Sequence, residues 1–310
     1  MRTDTGRAAR GARSLAAGCV LSLAAGTGCA GAVDGQREPD GPAREGAEAG
    51  PPPLARGDVA AVEREDLEAV FADAGVEGTF VLHDVMERES TVVEPEEARE
   101  RAAPASTFDL VSTLVGLQTG AVGDVDEVVP HGGGPQPVGR RERDMALREA
   151  FPASSLPVYQ EVAHRVGHER MAAWVDRLDY GNRSVGDAGA LDRFWLEGPL
   201  EISAMEQTAF LARLARDELP VDDAHQEAVR ELAALEEGDG YALHGKSGWS
   251  GEADPAPGWW VGWVERGDDL YTFALRIDLE EEDEDAELRE SLGREMLVEL
   301  EVLPEEERTA

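Results

Sequence analysis

Two residues far apart in the chain are the first candidates for chemistry. Ser106 opens an apolar-periodic run in which Phe108, Val111, Leu114, Val115 and Gln118 recur at helical spacing, with Leu110 and Leu117 widening the stripe. Pro104 stops any element before it, and Gly120 is a natural C-terminal cap. A serine in the first turn of such a helix has two readings. It can be a nucleophile among unpaired backbone N–H groups at the positive end of the helix dipole. It can also be a cap, and on this stretch alone the cap is the plainer reading, because Ser106-x-x-Asp109 is a capping-box pattern. Lys246 is the second candidate. It is the only lysine in a chain that otherwise uses arginine, which points to a site needing a compact ammonium rather than a planar fork. His164 and His168 lie four apart, a metal-ligand spacing. No His-Glu-x-x-His signature accompanies them, so a solvated helix face and no metal are expected.

The flanks of Ser106 change the balance. Pro104 to Val122, PASTFDLVSTLVGLQTGAV, resembles the active-site helix of class D β-lactamases, where the pattern is P-A-S-T-F-K with an L-x-T-G ending. One position departs: the family lysine, three residues after the serine, is Asp109. Ser154-Ser155-Leu156-Pro157-Val158-Tyr159-Gln160 resembles the second element, S-x-V-P-V-[YF]-Q, with Leu156 in place of valine. Tyr180-Gly181-Asn182 and Phe194-Trp195-Leu196-Glu197-Gly198-Pro199-Leu200 resemble two further landmarks, and His244-Gly245-Lys246-Ser247-Gly248 fits Lys-[ST]-Gly. Active members usually carry Trp-Asp-Gly where this chain has Pro130-His131-Gly132-Gly133. The resemblance runs from about Gly78 to Met296.

Opening a β-lactam needs a nucleophile, a base, a hole for the oxyanion and a cation for the carboxylate. The resemblance implies Ser106 as nucleophile and the backbone N–H groups of Ser106 and Trp249 as the oxyanion hole. It implies Ser154 and Lys246 as a proton relay toward the leaving nitrogen. Ser247 and Arg289 would bind the substrate carboxylate, Gly248 would also face the substrate, and Trp195 and Leu156 would line the pocket of the base. In the family that base is a lysine carbamate. Asp109 carries the same charge on a much shorter arm. Losing a general base costs about 10²- to 10⁴-fold, and deacylation should suffer most. Two readings stay open: an impaired class D-type β-lactamase, or a non-hydrolytic penicillin-binding sensor, sink or pseudoenzyme. A cell-wall transpeptidase is a weaker third, since it too needs the lysine. The ligands implied are β-lactams or peptidoglycan-like molecules, with no cofactor.

The elements that must position these residues read as an α/β fold of the α+β type. It is an antiparallel sheet flanked by helices, with a helical subdomain inserted. Expected helices cover Arg64 to Ala74, Ser106 to Gly120, Arg143 to Glu149 (broken by Pro152), a helix that the Ser154-to-Gln160 stretch leads into and that runs through Trp174, Ile202 to Arg216, His225 to Leu235 and Ala286 to Leu300. Expected strands are Thr79 to Val85, Thr91 to Val93, Tyr241 to Trp249, Gly258 to Val264 and Leu270 to Ile277. Alternation should send Trp259 and Trp263 to one sheet face and Trp260 to the other.

Ahead of this lies an arginine-bearing start and an apolar run from Leu15 to Ala25, expected as a signal peptide over 1–29. Gly-Thr-Gly-Cys29 resembles a lipobox, making Cys29 a candidate lipidation site; ordinary cleavage nearby is the alternative. Residues 30–57 read as a disordered linker, 58–303 as the β-lactamase-like domain and 304–310 as an acidic tail. Export to the cell envelope follows, with the membrane engaged only through the anchor. With Cys19 inside the signal, the mature domain is expected to stand without disulfides. A formal charge of −36 argues against nucleic acid and anionic surfaces as partners.

Overall fold

A computed structural model describes residues 60–132, 143–251, 256–279 and 282–305. The expected signal peptide, Cys29 and the linker lie outside these residues, as does most of the expected tail. The centre is a seven-stranded sheet. Its strands are β1 (Ala60–Glu63), β2 (Gly78–Asp84), β3 (Glu89–Val93), β8 (Ala234–Gly238), β9 (Tyr241–Trp249), β10 (Ala256–Arg266) and β11 (Asp269–Leu279), in spatial order β1-β3-β2-β11-β10-β9-β8. All neighbours are antiparallel except β1 on β3. Two short ladders lie outside it: β4 (Arg101–Ala102) with β7 (Ile202–Ser203), and β5 (Val128–Val129) with β6 (Met145–Ala146).

The sheet divides two cores, and the tryptophans sort as alternation requires. Trp259 and Trp263 pack into one cluster with Val81, Val261 and Ala274, together with the helices inserted between β3 and β8. Trp260 packs into the other with Phe80, Phe273 and Leu275, against α1 (Glu68–Ala74) and α8 (Glu282–Glu299). The inserted helices are α2 (Asp109–Gln118), α3 (Leu147–Ala153), α4 (Leu156–Val166), α5 (His168–Arg177), α6 (Ala204–Ala215) and α7 (Asp223–Ala233). α6 starts from a complete capping box: the Ser203 hydroxyl accepts the Glu206 N–H at 3.2 Å, and the Glu206 carboxylate accepts the Ser203 N–H at 3.2 Å.

Several boundaries differ from the sequence expectation. The single helix expected after the Ser154-to-Gln160 stretch and through Trp174 is two helices, because Gly167 takes φ 79°, ψ 152°, which no helix accommodates. Arg64 to Leu67 does not start as α-helix; Glu65–Leu67 is a tighter 3-10 turn ahead of α1. α3 runs through Pro152 rather than stopping at Glu149, and Met145–Ala146 ahead of it is extended. Leu235 is strand, not helix, since α7 ends at Ala233 and β8 pairs with β9. The strand β1 carries no clear alternation and was not expected. α2 presents no stripe: residues 109–117 are all buried, so the helix is enclosed on every side.

Candidate active site

The stretch Ala105–Phe108 is a 3-10 turn that feeds into α2. Neither the turn nor the helix has a side-chain cap, so Ser106 does not make the capping-box bond its spacing suggested. The turn is held from three directions. The Ala105 N–H donates to the Trp195 carbonyl at 2.9 Å. The Thr107 hydroxyl donates to the Pro104 carbonyl at 2.7 Å and accepts from Gln207 Nε2 at 2.9 Å. The Trp259 indole N–H reaches the Ala103 carbonyl at 2.9 Å, tying the approach to the sheet. Ala105 adopts φ 50°, a left-handed backbone that a Cβ disfavours by about 1–3 kcal/mol. Backbone strain thus sits one residue before Ser106.

Lys246 comes from β9 and points toward α2 and α3. It is buried, donates to the Ser154 hydroxyl in a short contact, and donates to the Ser247 carbonyl at 2.9 Å. Asp109, in the first turn of α2, pairs with it: Asp109 Oδ2 stands 3.4 Å from Lys246 Nζ. The Phe151 ring lies 5.5 Å from the ammonium, adding a cation–π contact on the α3 side. Ser154 is the C-cap of α3 and takes φ 47°, a second left-handed non-glycine residue. Beneath Asp109, the Tyr159 hydroxyl meets Thr113 Oγ1 at 3.2 Å. Burial, with the Asp109 charge adding to it, pushes this phenol well above its usual range, so Tyr159 stays neutral.

Strand alternation puts Lys246 and Gly248 on one face of β9 and Ser247 and Trp249 on the other. Gly248 lies directly against the serine turn. A Cβ there would stand 3.0 Å from the Ser106 amide nitrogen and 2.9 Å from that of Thr107, so only glycine fits. Arg289, from α8, is 6 % exposed, and its Nη1 donates to the Gly248 carbonyl at 2.6 Å. Ser106, Ser247 and Trp249 are half-buried, as is Leu156 at the start of α4. Trp195 is buried and stacks on Phe108 with centroids 5.8 Å apart.

The sequence therefore named residues that the fold gathers around the serine turn: Asp109, Ser154 and Lys246 in one cluster, and Gly248 and Arg289 beside it. His164 and His168 are not brought together as a ligand pair. The break at Gly167 places them on different helices, where His168 Nε2 meets the Gly186 carbonyl at 2.9 Å and His164 faces Asp192 at 3.8 Å. Among the described residues, no group of three or more His, Cys, Asp or Glu side chains could hold a metal ion. Sequence reasoning missed Thr107 and Gln207 as supports of the turn. Residues 100 apart in number carry no local signal of such a bond.

Residues 83–297 match the penicillin-binding protein transpeptidase domain. Over 215 residues the chain is 39 % identical to β-lactamase OXA-5 of Pseudomonas aeruginosa, covering 68 % of this chain and 80 % of that one. The chain belongs to the class D β-lactamase family. As a family member it is also 36 % identical over 217 residues to the probable β-lactamase YbxI of Bacillus subtilis (strain 168), covering 70 % of this chain and 79 % of that one. Among solved structures, FUS-1 (OXA-85), a class D β-lactamase from Fusobacterium nucleatum subsp. polymorphum, matches with TM-score 0.74 at 36 % identity. That match covers 78 % of this chain and 100 % of the other. The α/β fold expected from the sequence, an antiparallel sheet flanked by helices, is the fold of this class D family.

Proposed function

We propose that this class D family member reacts with β-lactams through Ser106 and releases the acyl product slowly. The Ser106 oxygen attacks the lactam carbonyl carbon while its proton passes into the Ser154–Lys246 relay. The oxyanion forms against the backbone N–H groups of Ser106 and Trp249. The C–N bond then breaks, and the ring nitrogen takes a proton delivered through Ser154 from Lys246. The product is a Ser106 ester. Its hydrolysis needs a base that can activate water on the far side of the acyl group.

The observation that carries this reading is the buried ion pair between Asp109 and Lys246. The carboxylate standing at the family's base position is engaged sideways, with the ammonium that serves Ser154, rather than extended toward a water. Acylation retains the Ser154–Lys246 contact. Deacylation loses its long-armed base. Behaviour as a penicillin sensor or sink on the cell envelope follows directly from a long-lived ester. The N-terminal pattern ending at Cys29 supports an exported, lipid-anchored form, for which Cys29→Ala would release the protein from membranes.

Labelling with a fluorescent penicillin tests the proposal. We expect a covalent band in the unaltered protein and none in Ser106→Ala. A band that survives Ser106→Ala, or no band in the unaltered protein at any drug concentration, would overturn it.

A further inference from the structure

Arg289 is not a free cation at the mouth of a cleft. It is 6 % exposed, and its Nη1 donates to the Gly248 carbonyl at 2.6 Å. Room for this comes from Gly258, which pairs with Trp249 across the β9–β10 ladder. A Cβ on Gly258 would stand 3.0 Å from Arg289 Cδ and 2.4 Å from Leu279 Cδ1. The stem of the arginine side chain is therefore seated where the absence of a side chain at Gly258 leaves room for it.

The bonded carbonyl belongs to the peptide unit whose other end is the Trp249 N–H. In a planar trans peptide the C=O and the N–H point in opposite directions, and resonance couples them. A charge-assisted bond on the carbonyl oxygen draws electron density from the nitrogen, and the N–H becomes a stronger donor on the opposite side. The same residue, Gly248, abuts the amide nitrogens of Ser106 and Thr107, so this peptide borders the place where charge develops on the acyl oxygen.

We propose that Arg289 is a positioning residue that polarises the Gly248–Trp249 peptide and so strengthens the Trp249 N–H of the oxyanion hole. This rests on the proposed acylation of Ser106. It is separate from the carboxylate contact that the family resemblance implies, because a guanidinium has five N–H donors and this bond uses one of them. It predicts that Arg289 matters even for an electrophile that has no carboxylate.

Two readouts test it. In the penicillin ester of Ser106, the infrared stretch of the ester carbonyl reports the hole directly: stronger donors lower it. We expect Arg289→Met to raise that frequency and Arg289→Lys to fall between. A fluorophosphonate, which carries no carboxylate and places its P=O in the hole, should label Ser106 about tenfold more slowly in Arg289→Met. This is less than the 10²- to 10³-fold seen when a whole donor is removed. An unchanged ester frequency and an unchanged fluorophosphonate rate, with penicillin acylation alone slowed, would overturn the proposal and leave Arg289 as a carboxylate ligand only. If Arg289→Met does not fold, Arg289→Gln, uncharged but able to donate, takes its place with the same expectation and the same contradicting result. If the unaltered protein forms no penicillin ester yet reacts with the fluorophosphonate, the β-lactam reading fails while the fluorophosphonate comparison still decides the role of Arg289.

Discussion

Asp109 Oδ2 lies 3.4 Å from Lys246 Nζ, and each side chain is only 4 % exposed. Two opposite charges held this far from water depend on each other. Desolvation penalises each alone, and their attraction with their remaining hydrogen bonds offsets it. The pair joins the first turn of α2, which follows directly on the 3-10 turn bearing Ser106, to β9, the strand that bears Gly248 and Trp249.

Removing one partner should therefore be costly. Asp109→Asn leaves the Lys246 charge buried against a neutral amide, and we expect a loss of about 3 kcal/mol of unfolding free energy. Asp109→Leu combined with Lys246→Met should cost much less than the sum of the two single changes, because the unpaired charge is gone. Denaturant titration of the unaltered protein, Asp109→Asn, Asp109→Leu, Lys246→Met and the double variant checks this. Additive losses would mean the pair contributes nothing beyond its parts.

Asp109→Lys, assayed with added bicarbonate, should raise turnover of a chromogenic cephalosporin toward that of lysine-bearing relatives. A carbamate on that lysine would face Lys246 with the same charge that Asp109 carries now, on a longer arm. Bicarbonate dependence is the decisive part of the result. Leu156, bulkier than the valine of the family pattern, borders this pocket in the resemblance, and Leu156→Val alongside Asp109→Lys should raise the rate further.

Gly248→Ala should slow labelling of Ser106 sharply while leaving the fold in place. The added Cβ would approach two backbone nitrogens at 2.9 and 3.0 Å, atoms that cannot swing aside as a side-chain tip can. Overpacking of this kind costs about 1–3 kcal/mol. We expect a modest fall in melting temperature with at least a hundredfold slower acylation.

Stability should fall as pH drops from 7 toward 5. His83 is 2 % exposed on β2, with Nδ1 3.0 Å from the Ser90 hydroxyl and Nε2 buried without a hydrogen-bond partner. Burial holds its pKa below the ordinary imidazole value, against smaller opposing effects from the Glu89 backbone and Asp84. Because the folded state resists the proton, this contribution is complete above the unfolded value of about 6.5 and is lost as pH falls from there through the folded value. His244, stacked on Trp263 and also lowered by burial, acts in the same sense. His83→Leu should flatten the pH dependence of the melting temperature over this range, and His83→Leu with His244→Leu should flatten it further.

Much of this site was readable from local pattern. Ser106, Lys246 and the Ser154 segment each carry a motif, and the alternation of Trp259, Trp260 and Trp263 sorted them to the correct sheet faces. What could not be read is what depends on distant partners. The bond from Gln207 to Thr107 and the hold of the Trp195 carbonyl on Ala105 need the folded chain. So do the left-handed backbones of Ala105 and Ser154, since alanine and serine do not advertise such a conformation. The sideways pairing of Asp109 with Lys246 was hidden too: the sequence showed a missing lysine, and only the fold shows what its replacement touches.

The central claim, that Ser106 acylates but the ester persists, is tested most directly by following intact mass after a pulse of benzylpenicillin and locating the adduct by peptide mapping. We expect an added mass equal to the whole drug, carried on Ser106, that decays 10²- to 10⁴-fold more slowly than in a lysine-bearing class D relative. Return to the unmodified mass at the relative's rate, with opened drug accumulating in solution, would contradict it and make Asp109 a working base.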